Sequence, residues 1–182
     1  MNYSLPTNVE IGGVEYPIRN RGDWRMVLDI LAVFTDPELN DEEKFSAALF
    51  IFYEAVPPDI EKALVEMTCF IDGGKLSEQD KPSPRLMDWE QDFPLIVAPV
   101  NRVLGGEIRA MEYLHWWSFL SAYMEINDCT FSTVVSIRQK QAKHKKLEKW
   151  EQDYVREHPE IVKLRPLISE SEQEFLDSLF KD

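Results

Sequence analysis

Paired glycines and prolines divide this chain into short segments, and their positions constrain the fold more than any other feature. The pairs are Gly12-Gly13, Pro57-Pro58, Gly73-Gly74 and Gly105-Gly106. Such pairs end helices or supply the positive φ angles of tight turns, so a long helix or strand does not cross them. Between the pairs, apolar residues recur at helical spacing. The sequence therefore predicts a mainly α fold, a compact bundle of about five to six helices.

The first glycine pair predicts a short N-terminal β-hairpin over residues 9–18. Residues 9–11 and 14–16 are strand-like and flank Gly12-Gly13, which suits a two-residue hairpin turn. Pro17 limits the second strand to an edge position, since proline cannot donate to a ladder. An isolated hairpin is marginal in water, so we expect it to pack against the helices.

Three helices are predicted in the first half of the chain. Asp23 is placed to cap the first helix, residues 24–34, and Asn40 with Glu43 forms a capping box for the second. The third helix runs from about Asp59 to Ile71. The predicted inner stripes are Trp24, Val27, Leu28 and Leu31, then Phe45, Leu49, Phe52 and Tyr53, then Ile60, Ala63, Leu64, Met67 and Phe70 or Ile71.

Three more helices are predicted after an exposed loop at residues 73–85. Asp92 is placed to cap the fourth helix, and Pro99 is expected to kink or interrupt it. The fifth, residues 109–126, is apolar on most sides, which predicts that other helices surround it. The sixth begins near Phe131 and passes through a basic run, residues 138–149, to about His158.

The C-terminal part is predicted to be a separate tail. Residues 1–158 form one helical domain, and residues 159–182 form a tail with a short acidic helix that starts near Ser169. A helix of about a dozen residues is marginal alone in water. Two interpretations stay open: the tail helix binds a partner protein, or it folds back on its own domain. Its apolar face consists of Phe175, Leu176, Leu179 and Phe180.

The charge distribution bears on the class of partner. The net charge of −13 disfavours nucleic acid as the main partner. The basic run at 138–149 is a solvated helix face, a phosphate-binding patch or an attractor for acidic partners. The last option includes the acidic tail of another copy, so we hypothesise that the chain forms homo-oligomers. No apolar run approaches the roughly 20 residues that span a bilayer, and no signal peptide is recognisable. We expect a cytoplasmic protein.

Catalytic and metal-binding patterns are scarce. Glu112 and His115 fit one half of a di-iron bundle motif, but no second copy exists in the sequence. Nucleophile-elbow, phosphate-loop and dinucleotide-binding motifs are missing, and Cys69 and Cys129 are interpreted as reduced, buried thiols. We therefore expect no catalytic residues, no cofactor and no metal. His115 is interpreted as a core or rim histidine with one or two hydrogen bonds.

The adjacent tryptophans Trp116 and Trp117 are a candidate partner-binding patch. Neighbouring helical residues point about 100° apart, so one ring can face the core while the other faces a partner. Tryptophan is favoured at interaction hot spots. The alternative is that both rings pack in the core.

Five stretches resemble one family of small proteins from long-tailed phages and prophages of Gram-positive bacteria, the bacteriophage "gene product fifteen" family. They occur in the family's order between residues 9 and 158. The segment at residues 112–119, Glu-Tyr-Leu-His-Trp-Trp-Ser-Phe, is the most specific. The stretches are residues 13–18, 36–44, 87–96, 112–119 and 131–138.

The resemblance implies a helical fold and a gene near those of the tail tube and the tape-measure protein. Proteins in that position typically serve as tail assembly chaperones, which hold the tape-measure protein in soluble form until the tube forms around it. Partners would be the tape-measure protein and other tail proteins, in the host bacterial cytoplasm. The alternative is a structural component of the tail or neck. The resemblance carries over no catalytic residue.

Overall fold

The computed structural model describes residues 4–75 and 83–167, and these divide into two compact units. Unit 1 contains residues 4–68 and 166–167, and unit 2 contains residues 69–75 and 83–165. The middle of the predicted loop and the predicted C-terminal helix lie outside the described residues. The described part contains the predicted hairpin and eight α-helices, so the prediction of a mainly α fold is confirmed. The organisation into a single domain of residues 1–158 and a C-terminal tail stays a prediction.

The elements of unit 1 begin with the hairpin. It pairs β1, Asn8–Ile11, with β2, Val14–Pro17, in antiparallel register. Gly12 and Gly13 have φ angles of 62° and 80°, the left-handed values that the turn requires. The helices are α1, Trp24–Thr35, then α2, Asp41–Phe52, and α3, Ile60–Ile71, which continues into unit 2.

The caps of α1 and α2 confirm the sequence-based predictions. The Asp23 carboxylate accepts a hydrogen bond from the backbone N–H of Arg25 at 3.0 Å. Asn40 and Glu43 form the predicted capping box, with bonds of 3.1 and 2.9 Å. These caps satisfy backbone donors that the first turn of a helix leaves without partners. They therefore fix where each helix starts.

Two residues of the predicted inner stripes are on the surface instead. Leu49, Phe52 and Tyr53 of the α2 stripe are buried, but Phe45 is exposed. In the same way Ile60, the first residue of α3, is exposed although Ala63 and Met67 are buried. Helical spacing assigns residues to a face, but it does not say how far the neighbouring element covers that face.

Unit 2 contains α4, Trp89–Leu104, and here the predicted cap is wrong. The cap is Asp88, whose Oδ1 accepts a hydrogen bond from the backbone N–H of Gln91 at 2.7 Å. Asp92 lies one turn inside the helix. Pro99 is buried within α4 and does not interrupt it. Burial of the apolar face around Pro99 offsets the cost of about 3 kcal/mol for an interior proline.

The predicted fifth helix starts seven residues later than expected. A 3-10 turn at Ile108–Ala110 and the non-helical residues 111–115 precede α5, Trp116–Met124. The helix begins at residue 116 because the Nδ1 atom of His115 caps it, accepting the backbone N–H of Trp117 at 3.0 Å. This confirms His115 as a buried, hydrogen-bonded histidine. The expectation that α5 is surrounded is wrong, since Met124 is 75% exposed.

The predicted sixth helix is broken inside the basic run. The observed helices are α6, Thr130–Ala142, and α7, Lys149–Glu157, followed by α8, Pro159–Val162. His144 has a φ of 50°, and the backbone N–H of Lys145 binds the carbonyl of Lys140 at 2.8 Å. A left-handed residue with this hydrogen bond is a standard helix stop. The cysteines also differ from prediction, because Cys69 and Cys129 are half-buried thiols.

A buried ion pair connects α4 to α6. The guanidinium of Arg138 binds both carboxylate oxygens of Asp92, at 2.6 and 2.9 Å, and both side chains are at least 96% buried. The other donors of Arg138 bind the carbonyls of Leu86, Ile161 and Val162 at 3.0, 2.7 and 2.8 Å. All five N–H groups of the guanidinium therefore have acceptors. We call these five residues the Arg138 clasp.

Further hydrogen bonds hold residues 159–165 against the start of α4. The side-chain amide of Gln91 donates to the carbonyl of Lys163 at 2.8 Å and accepts the backbone N–H of Arg165 at 3.0 Å. The guanidiniums of Arg85 and Arg165 both pair with the buried Asp88 carboxylate. The structure thus places residues 159–165, predicted as the beginning of the tail, within unit 2.

Asp88 is expected to make the stability of unit 2 depend on pH. Burial alone would raise its pKa, but the Gln91 N–H and the Arg165 and Arg85 guanidiniums outweigh burial and lower the pKa. A carboxyl whose pKa is lower in the folded state stabilises the fold at pH values above its unfolded pKa of about 4. This stabilisation is lost as the pH falls through the folded-state pKa.

The variant Asp88→Asn isolates this charge, because asparagine caps helices as well as aspartate does. We expect the variant to be less stable than the parent by about 1–2 kcal/mol at pH 7. The difference in the free energy of unfolding between the parent and the variant should become smaller as pH falls from about 5 towards about 2. Urea unfolding followed by far-UV circular dichroism measures it, and a gap that stays constant with pH would contradict the assignment.

Candidate functional site

The main candidate site is an apolar groove in unit 1 between α2 and α3, with a volume of about 690 Å³. We call it the α2–α3 groove. Its polar lining residues are Asp41, Glu42 and Ser46. Its apolar lining residues are Phe45, Leu49, Phe50, Val56, Ile60 and Leu64.

Four of the six apolar side chains that line this groove are exposed. The exposed fractions of Phe45, Phe50, Val56 and Ile60 are 45%, 68%, 42% and 47%. Single exposed apolar residues are normal on a protein surface, but a contiguous set in a concave site marks an interaction surface. Four such side chains around one groove therefore point to the binding of an apolar partner.

Tyr53, at the C-terminal end of α2, connects the two helices that form the groove. Its hydroxyl donates to the carbonyl of Ala63 on α3 at 2.9 Å. Burial, with the nearby negative charge of Glu66, raises the pKa of Tyr53 well above its usual range, so the hydroxyl stays a donor. The Nη2 atom of Arg19 binds the carbonyl of Tyr53 at 2.7 Å. The two helices that form the groove walls are thus linked at the C-terminal end of α2.

One lip of the groove is acidic. Asp41 and Glu42 stand in the first turn of α2, where negative side chains also stabilise the helix dipole. Both are exposed at the groove edge. Two cations near the groove are already engaged: Lys62 pairs with Asp59 at 2.6 Å, and Arg19 lies over the ring of Phe50 at 5.2 Å. Asp41 and Glu42 are therefore the charged side chains that line the groove.

A second, smaller groove lies in unit 2 between α5 and α6, with a volume of about 540 Å³. Its lining includes Met87, Tyr123, Met124 and Phe131, with Ser132, Ser136 and Gln139 on the α6 side. The Tyr123 hydroxyl contacts the Met87 sulfur at 3.0 Å. Among its large apolar residues, Met124 is strongly exposed and Phe131 is buried. This groove offers a partner less apolar surface than the α2–α3 groove does.

Of the residues proposed from sequence for partner binding, Trp116 and Trp117 lie among the described residues. Trp116 is 1% exposed, and its indole N–H binds the carbonyl of Ile71 at 2.8 Å, so this ring belongs to the core. Trp117 is half-buried and binds the carbonyl of Phe70 at 2.8 Å. The remaining candidates, Phe175, Leu176, Leu179 and Phe180, lie outside the described residues.

Sequence reasoning missed the α2–α3 groove. Helical spacing places Phe45 and Ile60 in the inner stripes and leaves Phe50 outside them. The available signal was that Phe50 lies next to the stripe residue Leu49, so apolar side chains cover more than one face of α2. An amphipathic helix that needs only one buried face does not require this extra phenylalanine.

The basic run also differs from a simple solvated face. Arg138 is the buried centre of the clasp, and Lys140 pairs with the buried carboxylate of Glu151 at 2.6 Å. The Lys140 ammonium and then the backbone N–H of Glu148 lower the pKa of Glu151. Lys143, Lys145, Lys146 and Lys149 are exposed. The run therefore combines two structural cations with four exposed ones.

In residues 4–75 and 83–167, no group of three or more His, Cys, Asp or Glu side chains is arranged to hold a metal ion. None of the helices in those ranges combines the length and apolarity that crossing a bilayer requires.

The family assignment rests on one comparison. Comparison with curated proteins and with solved structures gave no significant match. The model of the family described as "Bacteriophage Gp15 protein" matches residues 1–164. That range contains both grooves, the Arg138 clasp and every stretch on which the resemblance was based. The chain therefore belongs to the bacteriophage Gp15 protein family.

Proposed function

We propose that this chain is a non-enzymatic tail assembly chaperone that keeps the phage tape-measure protein soluble during tail formation, in the host cytoplasm. The supporting observation is the exposed apolar lining of the α2–α3 groove. A holder protein needs apolar anchors that are accessible before the partner arrives, and it needs charge to stay soluble itself. The groove and the net charge of −13 satisfy these two needs.

The groove variant Phe50→Ser tests this proposal. Phe50 is 68% exposed and its main side-chain contact is the Arg19 guanidinium over its ring, so its loss should lower stability by about 1 kcal/mol or less. Loss of an apolar anchor should weaken partner binding by about 2 kcal/mol, or roughly thirty-fold. Co-expression of the full chain with the tape-measure protein of the same phage should keep that protein in the soluble fraction. The variant should leave most of it in the pellet.

Val14→Ser is the matched control, since Val14 is 53% exposed in unit 1 and does not line the groove. This variant should keep the tape-measure protein in the soluble fraction to the same extent as the parent chain. The chaperone proposal fails if the tape-measure protein is equally insoluble with and without the parent chain. Detection of this chain in purified phage particles would instead support a structural tail or neck component.

A further inference from the structure

We propose that the α2–α3 groove receives an amphipathic helix whose apolar stripe is flanked by lysine or arginine. This inference deepens the proposed function and rests on it, because it names the chemistry of the segment that the groove would hold. Three observations carry it: the helical walls of the groove, the acidic lip and the distribution of charge along the chain.

The walls of the groove favour a helical occupant. They are formed by α2, α3 and the segment between them. A strand could add only to an exposed sheet edge, and the residues that line this groove provide none. An amphipathic helix instead places residues i, i+3, i+4 and i+7 into such a groove. Phe45, Phe50 and Ile60 would then contact one continuous apolar stripe.

The acidic charge of the chain is concentrated in residues 1–68, the stretch that contains the groove. Residues 1–68 contain thirteen Asp or Glu and five Lys or Arg, a net charge of −8. Residues 69–165 contain fifteen and fourteen, a net charge of −1. With Asp41 and Glu42 at the groove edge, a partner with basic flanks is attracted and one with acidic flanks is repelled.

The same charges disfavour the chain's own C-terminal segment as the occupant. Residues 168–182 contain Phe175 and Leu179 but carry five Asp or Glu and one Lys, a net charge of −4. Placing this segment beside Asp41 and Glu42 would bring like charges together. The spacing of the apolar residues in this segment is that of an amphipathic helix, but its negative charge is unfavourable beside the acidic edge of the groove.

Two synthetic peptides with one apolar stripe test the inference. One carries lysines on the flanks of the stripe and the other carries glutamates at the same positions. Fluorescence anisotropy with the full chain at low salt should show about ten-fold tighter binding of the lysine peptide, or more. The preference should shrink towards unity near 1 M NaCl, where the Debye length is about 3 Å.

Variants separate the groove from the general charge of the protein. Asp41→Asn with Glu42→Gln should remove most of the preference, and Phe50→Ser should weaken binding of both peptides. Glu10→Gln with Glu15→Gln makes the same charge change on the hairpin and should keep the preference. Circular dichroism confirms that each variant is folded. The inference is overturned if both peptides bind equally, or if the hairpin variant loses as much preference as the groove variant.

Failure here is distinguishable from failure of the chaperone proposal. If the tape-measure protein is kept soluble through Phe50 but the peptides show no charge preference, the inference falls and the function stands. If the lysine peptide binds through Asp41, Glu42 and Phe50 but the tape-measure protein stays insoluble, the groove chemistry stands and the proposed cargo is wrong.

Discussion

Replacing Arg138 with methionine is expected to lower the free energy of unfolding by about 3–5 kcal/mol. The substitution leaves the Asp92 carboxylate, 99% buried, without its bidentate cation. It also removes the donors to the carbonyls of Leu86, Ile161 and Val162. Urea unfolding followed by far-UV circular dichroism measures the loss.

The double variant Asp92→Leu with Arg138→Met is the informative control. Apolar replacement of both partners of a buried pair is often neutral or stabilising, whereas removal of one partner leaves an uncompensated charge. We expect the double variant to lose less stability than the sum of the two single variants. Strict additivity would show that the two side chains are not coupled and would refute the clasp.

Replacing Trp116 with alanine is expected to cost about 3–5 kcal/mol of stability. The ring is stacked on Phe119 with centroids 5.5 Å apart, and it lies 6.0 Å from Trp89. Truncation would leave a cavity in the core of unit 2 and remove the hydrogen bond to the carbonyl of Ile71. The same unfolding measurement applies.

Two further variants, at Trp116 and at the adjacent Trp117, serve as comparisons for Trp116→Ala. Trp116→Phe keeps an aromatic ring but loses the indole N–H, and it should cost about 1–3 kcal/mol. Trp117→Ala removes a half-buried ring and should cost less than Trp116→Ala. If Trp117→Ala were the more damaging change, Trp116 would not be the core member of the pair.

The starts of two helices could be predicted from sequence because their causes are local. Asp23 and Asn40 each bind backbone groups two or three residues away, so the pattern that identifies them is contained in a few letters. Gly105, with a φ of 73°, ends α4 for an equally local reason. Caps and glycine stops depend on short-range geometry that tertiary packing rarely overrides.

Asp92 shows why other features could not be predicted. It has the sequence appearance of a helix cap, with a proline two residues later. Its partner Arg138 lies 46 residues away, in the basic run that the sequence leaves open as a solvated helix face, a phosphate-binding patch or an attractor for acidic partners. No short sequence pattern identifies such a pair. Its stability depends on burial and on a fold that brings α4 and α6 together.

The candidate site was predictable only in part. The alternative that the tryptophans pack in the core holds for Trp116, whose ring is buried beside Phe119. The exposure of Phe45 and Ile60 was not predictable, because the same apolar spacing serves a covered face and an open one. Sequence patterns therefore indicate the tryptophan pair and the C-terminal helix as candidates, and they do not identify the groove.

The sequence positions of the α2–α3 groove and of the contacts between residues 159–165 and α4 also have a consequence for synthesis on the ribosome. The residues that line the groove all lie between positions 41 and 64. The hydrogen bonds that hold residues 159–165 to α4 need the chain as far as Arg165. At about 5–20 residues per second, roughly 5–20 s separate the two moments. All residues of the groove are thus synthesised while residues 159–165, which bind α4, are still to be translated.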